Sequence, residues 1–153
     1  MSATFVHPAG PSDVEALVHL RREMFAAMDV AEHDTTWRDN AAAWFESHID
    51  DEKHGIFVVE HESQVVACAM GTLQDSAPSP GVPRGGFVVV SNVCTLPSYR
   101  GRGMGRLAFN AVMEWARATG AVRAELMATP AGRSMYARAG FSDVKFSAMR
   151  AAL

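Results

Sequence analysis

Residues 99–109 read YRGRGMGRLAF, in which three glycines alternate with three arginines. The stretch follows the β-like run FVVVSNVCT, residues 87–95, and precedes a long amphipathic segment. A helix N-terminus presents unpaired N–H groups, and glycines before it let several of these groups point at one phosphate, while arginines add permanently charged forks. The stretch predicts an anion site, with a pyrophosphate-containing ligand as the first candidate. A glycine-rich turn with solvated arginines is the alternative.

The segment after the glycines predicts a helix over about residues 104–118, ended by Gly120. Its apolar residues recur at helical spacing and form one stripe that should face a core. They are Met104, Leu107, Ala108, Ala111, Val112 and Trp115. The N-terminus of this helix opens directly onto the glycines.

Outward from this junction, the patterns predict alternating helices and strands. An S-x-x-E capping box at Ser12 and Glu15 begins a first helix, and apolar spacing predicts a second over about 36–49. Two antiparallel strands follow, GIFVVE and VVACAMGTL, and the Pro- and Gly-rich residues 74–86 predict a surface loop. After the glycine-led helix we expect a strand at 122–128, a short helix at about 131–139 and a last strand at 143–150. The predicted fold class is α/β, a mixed sheet flanked by helices.

Bulk composition describes an ordinary globular chain. With 153 residues, 48% hydrophobic and 20% charged, residues 1–153 predict a single domain with one core. The start MSATFVHPAG has neither the basic nor the apolar region of a secretion signal, and no window has the roughly 18 apolar residues of a membrane span, so we expect a cytoplasmic protein that does not enter membranes. Cys68 and Cys94 lie in apolar runs and predict buried free thiols.

Charge is distributed unevenly along the chain. Residues 1–64 hold 13 acidic and 4 basic side chains, whereas residues 65–153 hold 4 and 10, which leaves a net charge of −3. This separation indicates two ligand moieties of opposite sign, although solvated helix faces could give the same count. The negative balance and the lack of a basic stripe with aromatics disfavour nucleic acid as a partner.

Other nucleotide, metal and nucleophile motifs fit less well. No Gly-Lys pair of an ATP or GTP loop occurs, and the G-x-G-x-x-A match at 103–108 has too little chain after it for a dinucleotide fold. A dinucleotide-binding protein remains an alternative. The six histidines form no ligand motif, so we expect no metal, and no G-x-S-x-G serine motif is present.

Two motifs together resemble the GNAT superfamily of acyl-CoA-dependent N-acetyltransferases. The family signature R/Q-x-x-G-x-G/A is matched by Arg100, Gly103 and Gly105, and TLPSYR before it is similar to the family's exit from its fourth strand, with Thr95 where valine is usual. MYARAGF at 135–141 resembles the family's L-Y-x-x-x-G-F ending of helix four, with Met135 in place of leucine. The predicted order of elements also follows the family's α/β plan.

The resemblance implies acetyl-CoA as co-substrate and a set of residues that would bind it. In the family, the fourth strand pairs with the pantetheine amides like an added strand, the glycine loop holds the pyrophosphate and a residue seven positions before the helix-four tyrosine contacts the pantetheine arm. The matching positions here are Val93, Cys94, Thr95, Arg100, Gly101, Arg102, Gly103, Met104, Gly105, Arg106 and Thr129, of which Arg102 and Arg106 should lie nearest to phosphate.

The resemblance also implies an N-acetyltransferase acting on a primary amine. Tyr136 resembles the tyrosine that protonates the departing thiolate, and its ordinary pKa near 10 means that the phenol carries a proton to give at neutral pH. A half-buried packing tyrosine is the alternative for this residue. A backbone N–H near Thr95 would receive the oxyanion. For the base we consider Glu23, His33, Asp34, Glu46 and a water chain, with no motif to choose among them.

The sequence does not choose the acceptor amine or the oligomeric state. A small-molecule or peptide amine fits, and drug amines, polyamines, amino acid derivatives and peptide N-termini all remain candidates. A homodimer is common in the resembled family. A non-catalytic acyl-CoA-binding or regulatory module on the same fold is the alternative function, against which Tyr136 argues.

Overall fold

One mixed sheet organises the chain in the computed structural model, which describes residues 3–153. Five strands lie side by side in chain order: β1 (Thr4–Pro8), β2 (His54–His61), β3 (Gln64–Gln74), β4 (Phe87–Thr95) and β5 (Ala124–Glu125). β1 to β4 pair antiparallel, and β5 pairs parallel with β4. Helices α1 (Val14–Ala27), α2 (Thr36–His48), α3 (Met104–Ala118) and α4 (Arg133–Arg138) flank the sheet. The predicted fold class is confirmed.

Both faces of β3 are covered, which explains its continuous apolar run. Met70 faces a cavity under α1 and α2, whereas the next residue, Gly71, faces Trp115 and Val112 of α3. Because successive strand residues point to opposite faces, α1 and α2 lie on one face and α3 on the other. Residues 66–71 of β3 are accordingly all buried.

The buried stripe of α3 differs in detail from the predicted one. Leu107, expected in the stripe, is 40% exposed. The buried residues are Met104, Ala108, Phe109, Val112 and Ala116. The helix is rotated so that Phe109 enters the core against Tyr136 and Phe141, a contact that local spacing does not reveal.

The two N-terminal helices begin differently. Helix α2 starts and ends within a residue of its prediction, but the Ser12–Glu15 capping box before α1 is wrong, since α1 has no side-chain cap. A short 3₁₀ turn, Pro11–Asp13, leads into α1, and the Asp13 carboxylate accepts a hydrogen bond from the Gly10 N–H at 2.8 Å. This bond is the returning half of a capping box at the 3₁₀ turn, so the side-chain capping lies before α1 and does not involve Ser12 or Glu15.

The two ends of the chain depart from the predictions. β1 was not anticipated, because it is a five-residue edge strand that is largely exposed and so lacks a clear apolar alternation. The predicted strand at 122–128 shortens to two residues, and the strand expected at 143–150 is wrong: this segment has no regular structure. Its apolar side chains are not covered, with Phe146 77% exposed, and a strand without a paired neighbour has no ladder of hydrogen bonds to hold it.

Several other expectations can be compared with the structure. Residues 75–86 form the expected irregular loop, and both cysteines are free and buried. Within residues 3–153 no helix is long and apolar enough to cross a membrane. In the same residues no group of three or more His, Cys, Asp and Glu side chains comes together that could hold a metal.

Gly71→Ala should destabilise the protein, because a Cβ at this position would lie 2.7 Å from the Trp115 ring and 3.0 Å from Val112 Cγ1. Overpacking of this kind costs about 1–3 kcal/mol in the free energy of unfolding, measurable by urea denaturation. Gly10→Ala is the matched control, since its nearest neighbouring atom is 3.9 Å away. Equal stability of the two variants would contradict close packing of Trp115 on the sheet.

Candidate functional site

β4 and β5 separate after a short contact and leave one edge of β4 open. They pair only at Val88 with Ala124 and at Val89 with Glu125, and among the described residues no strand continues this pairing. The Leu96 N–H donates to Val66 on β3, so alternation turns the backbone groups of Val93 and Thr95 to the opposite, open side. The second half of β4 therefore offers strand-like donors and acceptors to a ligand.

A bulge at Asn92 shapes β4 beside this open edge. Cys68 on β3 pairs with Cys94, but Met70 pairs with Ser91, so Ala69 alone faces two residues of β4. Asn92 has φ 55°, in the left-handed region that asparagine tolerates better than most residues. The bulge bends the strand just before Val93 and Thr95.

Buried hydrogen bonds hold the bulge. Asn92 Oδ1 accepts from Arg21 Nη1 on α1 at 2.8 Å, and Asn92 Nδ2 donates to Cys68 Sγ at 3.5 Å. The Cys68 thiol donates to the Asn92 carbonyl at 3.4 Å and lies 3.3 Å from Cys94 Sγ. The hydrogen bond with Cys94 and burial raise the pKa of Cys68 well above its ordinary value, so it stays a neutral thiol.

The glycine loop brings the N-terminus of α3 to the end of β4. Gly101 and Gly103 have φ values of 75° and 81°, which favour glycine, and a Cβ on Gly105 would lie 2.9 Å from Thr95 Oγ1. The first bond into the helix runs from the Leu107 N–H to the Gly103 carbonyl. The N–H groups of residues 104–106 precede that bond and have no acceptor within the helix.

The loop arginines are exposed and surround this N-terminus. Arg100 Nε donates to the Thr95 carbonyl at 3.1 Å and so ties the loop to β4, while the Arg102 guanidinium lies 5.2 Å from the centre of the Tyr99 ring. Within residues 3–153, none of Arg100, Arg102 and Arg106 makes an ion pair with a carboxylate. The positive charge of the loop is therefore available to an anion.

Tyr136 lies in α4 with its ring buried and only 9% of the residue exposed. The ring packs at 5.3 Å against Phe109 and at 6.2 Å against Phe141. No described protein group hydrogen-bonds to its hydroxyl. Burial raises the pKa of Tyr136 above its ordinary value, and the nearby Cys94 raises it further. The phenol therefore keeps its proton at neutral pH.

A cavity of about 500 Å³ lies on the other side of the bulge, between α1, α2 and β3. Its wall is mainly aromatic and apolar, with one cation and no carboxylate or imidazole. The lining residues are Arg21, Phe25, Trp37, Asn40, Ala41, Trp44, Phe45 and Met70. Arg21, which lines the cavity, is also the hydrogen-bond partner of Asn92 on β4.

The remaining predicted residues lie away from this cavity wall. Thr129 is exposed, and its carbonyl accepts from Gly132 and Arg133 at the start of α4. None of the base candidates lines the cavity. Glu23 is half-buried, His33 and Glu46 are exposed, and the Asp34 carboxylate accepts from the Thr36 N–H at 2.8 Å.

Sequence reasoning missed Arg21 in the cavity wall and its partner Asn92 in the β4 bulge. One signal was present: the polar pair Ser91–Asn92 interrupts the apolar run VVVSNVC, as expected of a bulge. No local pattern pointed to Arg21, because its partner is 71 residues away in the chain.

The profile of the Acetyltransferase (GNAT) family matches residues 14–141, so the chain belongs to the GNAT acetyltransferase family. The resemblance drawn from the two sequence motifs is confirmed. No curated protein matches the sequence.

Solved structures share the fold at low identity. A predicted acetyltransferase from Clostridium acetobutylicum, solved with acetyl-CoA, has a TM-score of 0.83 at 20% identity, with 98% of this chain and 96% of that chain covered. A GCN5-related N-acetyltransferase from Ralstonia eutropha has a TM-score of 0.82 at 23% identity, covering 97% and 99%. An aminoglycoside N-acetyltransferase in complex with CoA has 0.79 at 16%, covering 99% and 96%.

Substitutions at Asn92 should reverse the usual preference of a strand for alanine over glycine. Asn92→Ala and Asn92→Gly both remove the Arg21 and Cys68 contacts, but only alanine carries the cost of a left-handed φ, about 1–2 kcal/mol. We expect the glycine variant to be the more stable by about that amount in urea unfolding. A more stable alanine variant would rule out the left-handed bulge.

Proposed function

We propose that the chain transfers the acetyl group of acetyl-CoA to a primary amine of a small molecule or peptide. The observation that carries this proposal is the open edge of β4, which leads directly to the uncapped, arginine-rich N-terminus of α3. Membership of the GNAT acetyltransferase family supports it, as do the fold relatives solved with acetyl-CoA and CoA. We propose that residues 1–153 act as one GNAT-like domain.

The chain's own groups fit the two ends of acetyl-CoA. Val93 offers its backbone N–H and carbonyl to the pantetheine amides, Thr95 offers the free lone pair of its carbonyl, and Cys94 between them keeps β4 on β3. The N–H groups of residues 100–106 and the guanidinium groups of Arg102 and Arg106 surround the place for the pyrophosphate. The exposed Thr129 hydroxyl is assigned to the pantetheine arm.

The chemistry requires one proton to leave the amine and another to reach the thiol. The neutral amine attacks the thioester carbonyl, a C–N bond forms and the C–S bond breaks. The outward N–H of Thr95 donates to the oxygen that becomes negative during attack. Tyr136 gives its proton to the departing thiolate and regains one from solvent, and the raised pKa keeps this acid protonated beforehand.

Water is the proposed acceptor of the amine's proton. The cavity wall contains no carboxylate and no imidazole, and the base candidates considered from the sequence lie outside it. No described carboxylate of the lining pairs with an ammonium group, and the Arg21 guanidinium repels one, which favours the neutral amine that attacks.

A thiol-release assay tests the activity. The purified chain is mixed with acetyl-CoA and a panel of amines, and free CoA is measured with a thiol reagent. We expect release that depends on both the chain and an amine. Tight CoA binding without release for any amine would instead indicate the non-catalytic acyl-CoA-binding module.

Removal of the loop charges should weaken CoA binding. Arg102→Ala and Arg106→Ala should each cost about 1–3 kcal/mol of binding free energy in titration calorimetry, since each deletes a charged hydrogen bond to phosphate. Gly103→Glu should be worse because it adds a carboxylate to the anion site. Arg117→Ala, at the far end of α3, is the control. Unchanged affinity in all three loop variants would reduce the loop to a simple turn.

Tyr136→Phe keeps the buried ring and removes only the proton donor. We expect kcat to fall by about 10- to 10⁴-fold, with little change in acetyl-CoA binding. Wild-type kcat should decline as alkaline pH passes the raised pKa of Tyr136, because the deprotonated phenolate cannot donate, and this decline should vanish in the variant. Tyr99→Phe, which loses only a hydrogen bond to Gln64, is the control. Near wild-type kcat in Tyr136→Phe would return this residue to a packing role.

A further inference from the structure

The cavity beside the β4 bulge combines an aromatic wall with a single cation, and this pairing defines an acceptor class. Resting on the proposed function, we infer that the acceptor is an amino acid with an aromatic side chain, whose carboxylate is bound by Arg21 while its amine faces the open edge of β4. The inference assigns the role of the cavity and of Arg21, a residue that no sequence motif marks.

The apolar part of the acceptor is matched by the wall. Phe25 and Trp37 meet edge to face at 5.7 Å between ring centres, and Trp44 meets Phe45 in the same way at 5.5 Å. Rings arranged in this manner accept a further ring edge-on or in an offset stack. The volume of about 500 Å³ lies within the range of small-molecule sites and suits a single amino acid.

Arg21 is the charge of this cavity that lacks a counter-ion. Its guanidinium has five N–H donors, of which one bonds to Asn92 Oδ1, and it lies 4.9 Å from the centre of the Phe25 ring. Among residues 3–153 no carboxylate pairs with it. Burial lowers the pKa of Arg21, which marks a desolvated cation. A ligand carboxylate would supply the missing charge and match the planar fork.

The acidic side chains of the N-terminal half do not enter the cavity. The Glu32 carboxylate pairs with Arg38, and Asp39 and Glu46 are exposed on α2. Arg21 is one of the four basic residues of the acidic N-terminal half, so the cation at the cavity wall does not follow from the charge separation in the sequence. A phosphate and a carboxylate are both anions, whereas that separation indicated ligand moieties of opposite sign. Polyamines and aminoglycoside-like acceptors would bring like charge against Arg21.

The position of Arg21 places the carboxylate close to the reacting amine. Arg21 bonds to Asn92, which lies in the part of β4 that has no β5 partner, so we place a group bound to Arg21 near that open edge. In an α-amino acid only one carbon separates the carboxylate from the amine. An α-amino acid therefore suits the approach from Arg21 to the β4 edge better than an amine whose acid group is several atoms away.

Matched compounds and variants test the inference kinetically. Phenylalanine, phenylalaninamide, phenethylamine and spermidine are compared in the thiol-release assay. We expect kcat/KM for phenylalanine to exceed that for phenethylamine by at least about tenfold, and Arg21→Gln to raise KM for phenylalanine by about 10- to 100-fold while leaving phenethylamine within about twofold. Arg22→Gln, the exposed neighbour on α1, is the control. Preference for phenethylamine or spermidine, or equal effects of Arg21→Gln on both substrates, would overturn the inference while the proposed function stands.

A binding measurement that involves no acetyl transfer tests the carboxylate site separately from the proposed reaction. The probe 3-phenylpropanoate keeps ring and carboxylate but has no amine, and Trp37 and Trp44 in the wall report its binding by fluorescence. We expect saturable quenching in wild type and Arg22→Gln, and about 10- to 100-fold weaker binding in Arg21→Gln, with Arg21→Lys between them. If no amine is acetylated but this pattern holds, the proposed reaction fails and the carboxylate site stands. Equal binding by wild type and a folded Arg21→Gln variant contradicts the site.

Discussion

The structure depends on the separation of β4 from β5. A parallel pair normally satisfies the backbone of both strands along their length, but here pairing stops after Val89 and the rest of β4 keeps one row of backbone groups free. The bulge at Asn92 bends the strand at this point, and α3 starts where the strand ends. Donors for an extended ligand and for an anion are therefore presented in one continuous line.

The hydrogen bond between Arg21 and Asn92 connects the open edge of β4 to the side of the sheet that holds the cavity. Their hydrogen bond crosses from α1 to the bulge, so the wall of the cavity and the shape of the open edge are fixed by the same contact. Asn92 also bonds to Cys68, and the two thiols fill the space beneath it. Asn92 is therefore held from two sides, by α1 and by β3.

Charge is arranged so that each proposed ligand part meets an unpaired group of opposite sign. In the proposed complex the exposed arginines of the glycine loop would face a phosphate and Arg21 a carboxylate, and no acidic side chain is among the described residues that line the cavity. Tyr136 is the proposed acid, and burial of its ring among Phe109 and Phe141 raises its pKa. The proposed transfer relies on the placement of a few groups and on a neutral amine.

The sequence alone determined the features that are local: the glycine and arginine loop, the helix after it, the β2–β3 hairpin and the two motifs that indicate the family. Each is set by spacing within about ten residues, where backbone preference and helix or strand period act. The strand expected at 143–150 did not form, since a strand also needs a neighbour to pair with. Only the tertiary structure decided the bulge, the rotation of α3 and the Arg21 cavity. These arise from contacts between distant segments, such as the 71 residues between Arg21 and Asn92, whose energy appears only when the chain packs.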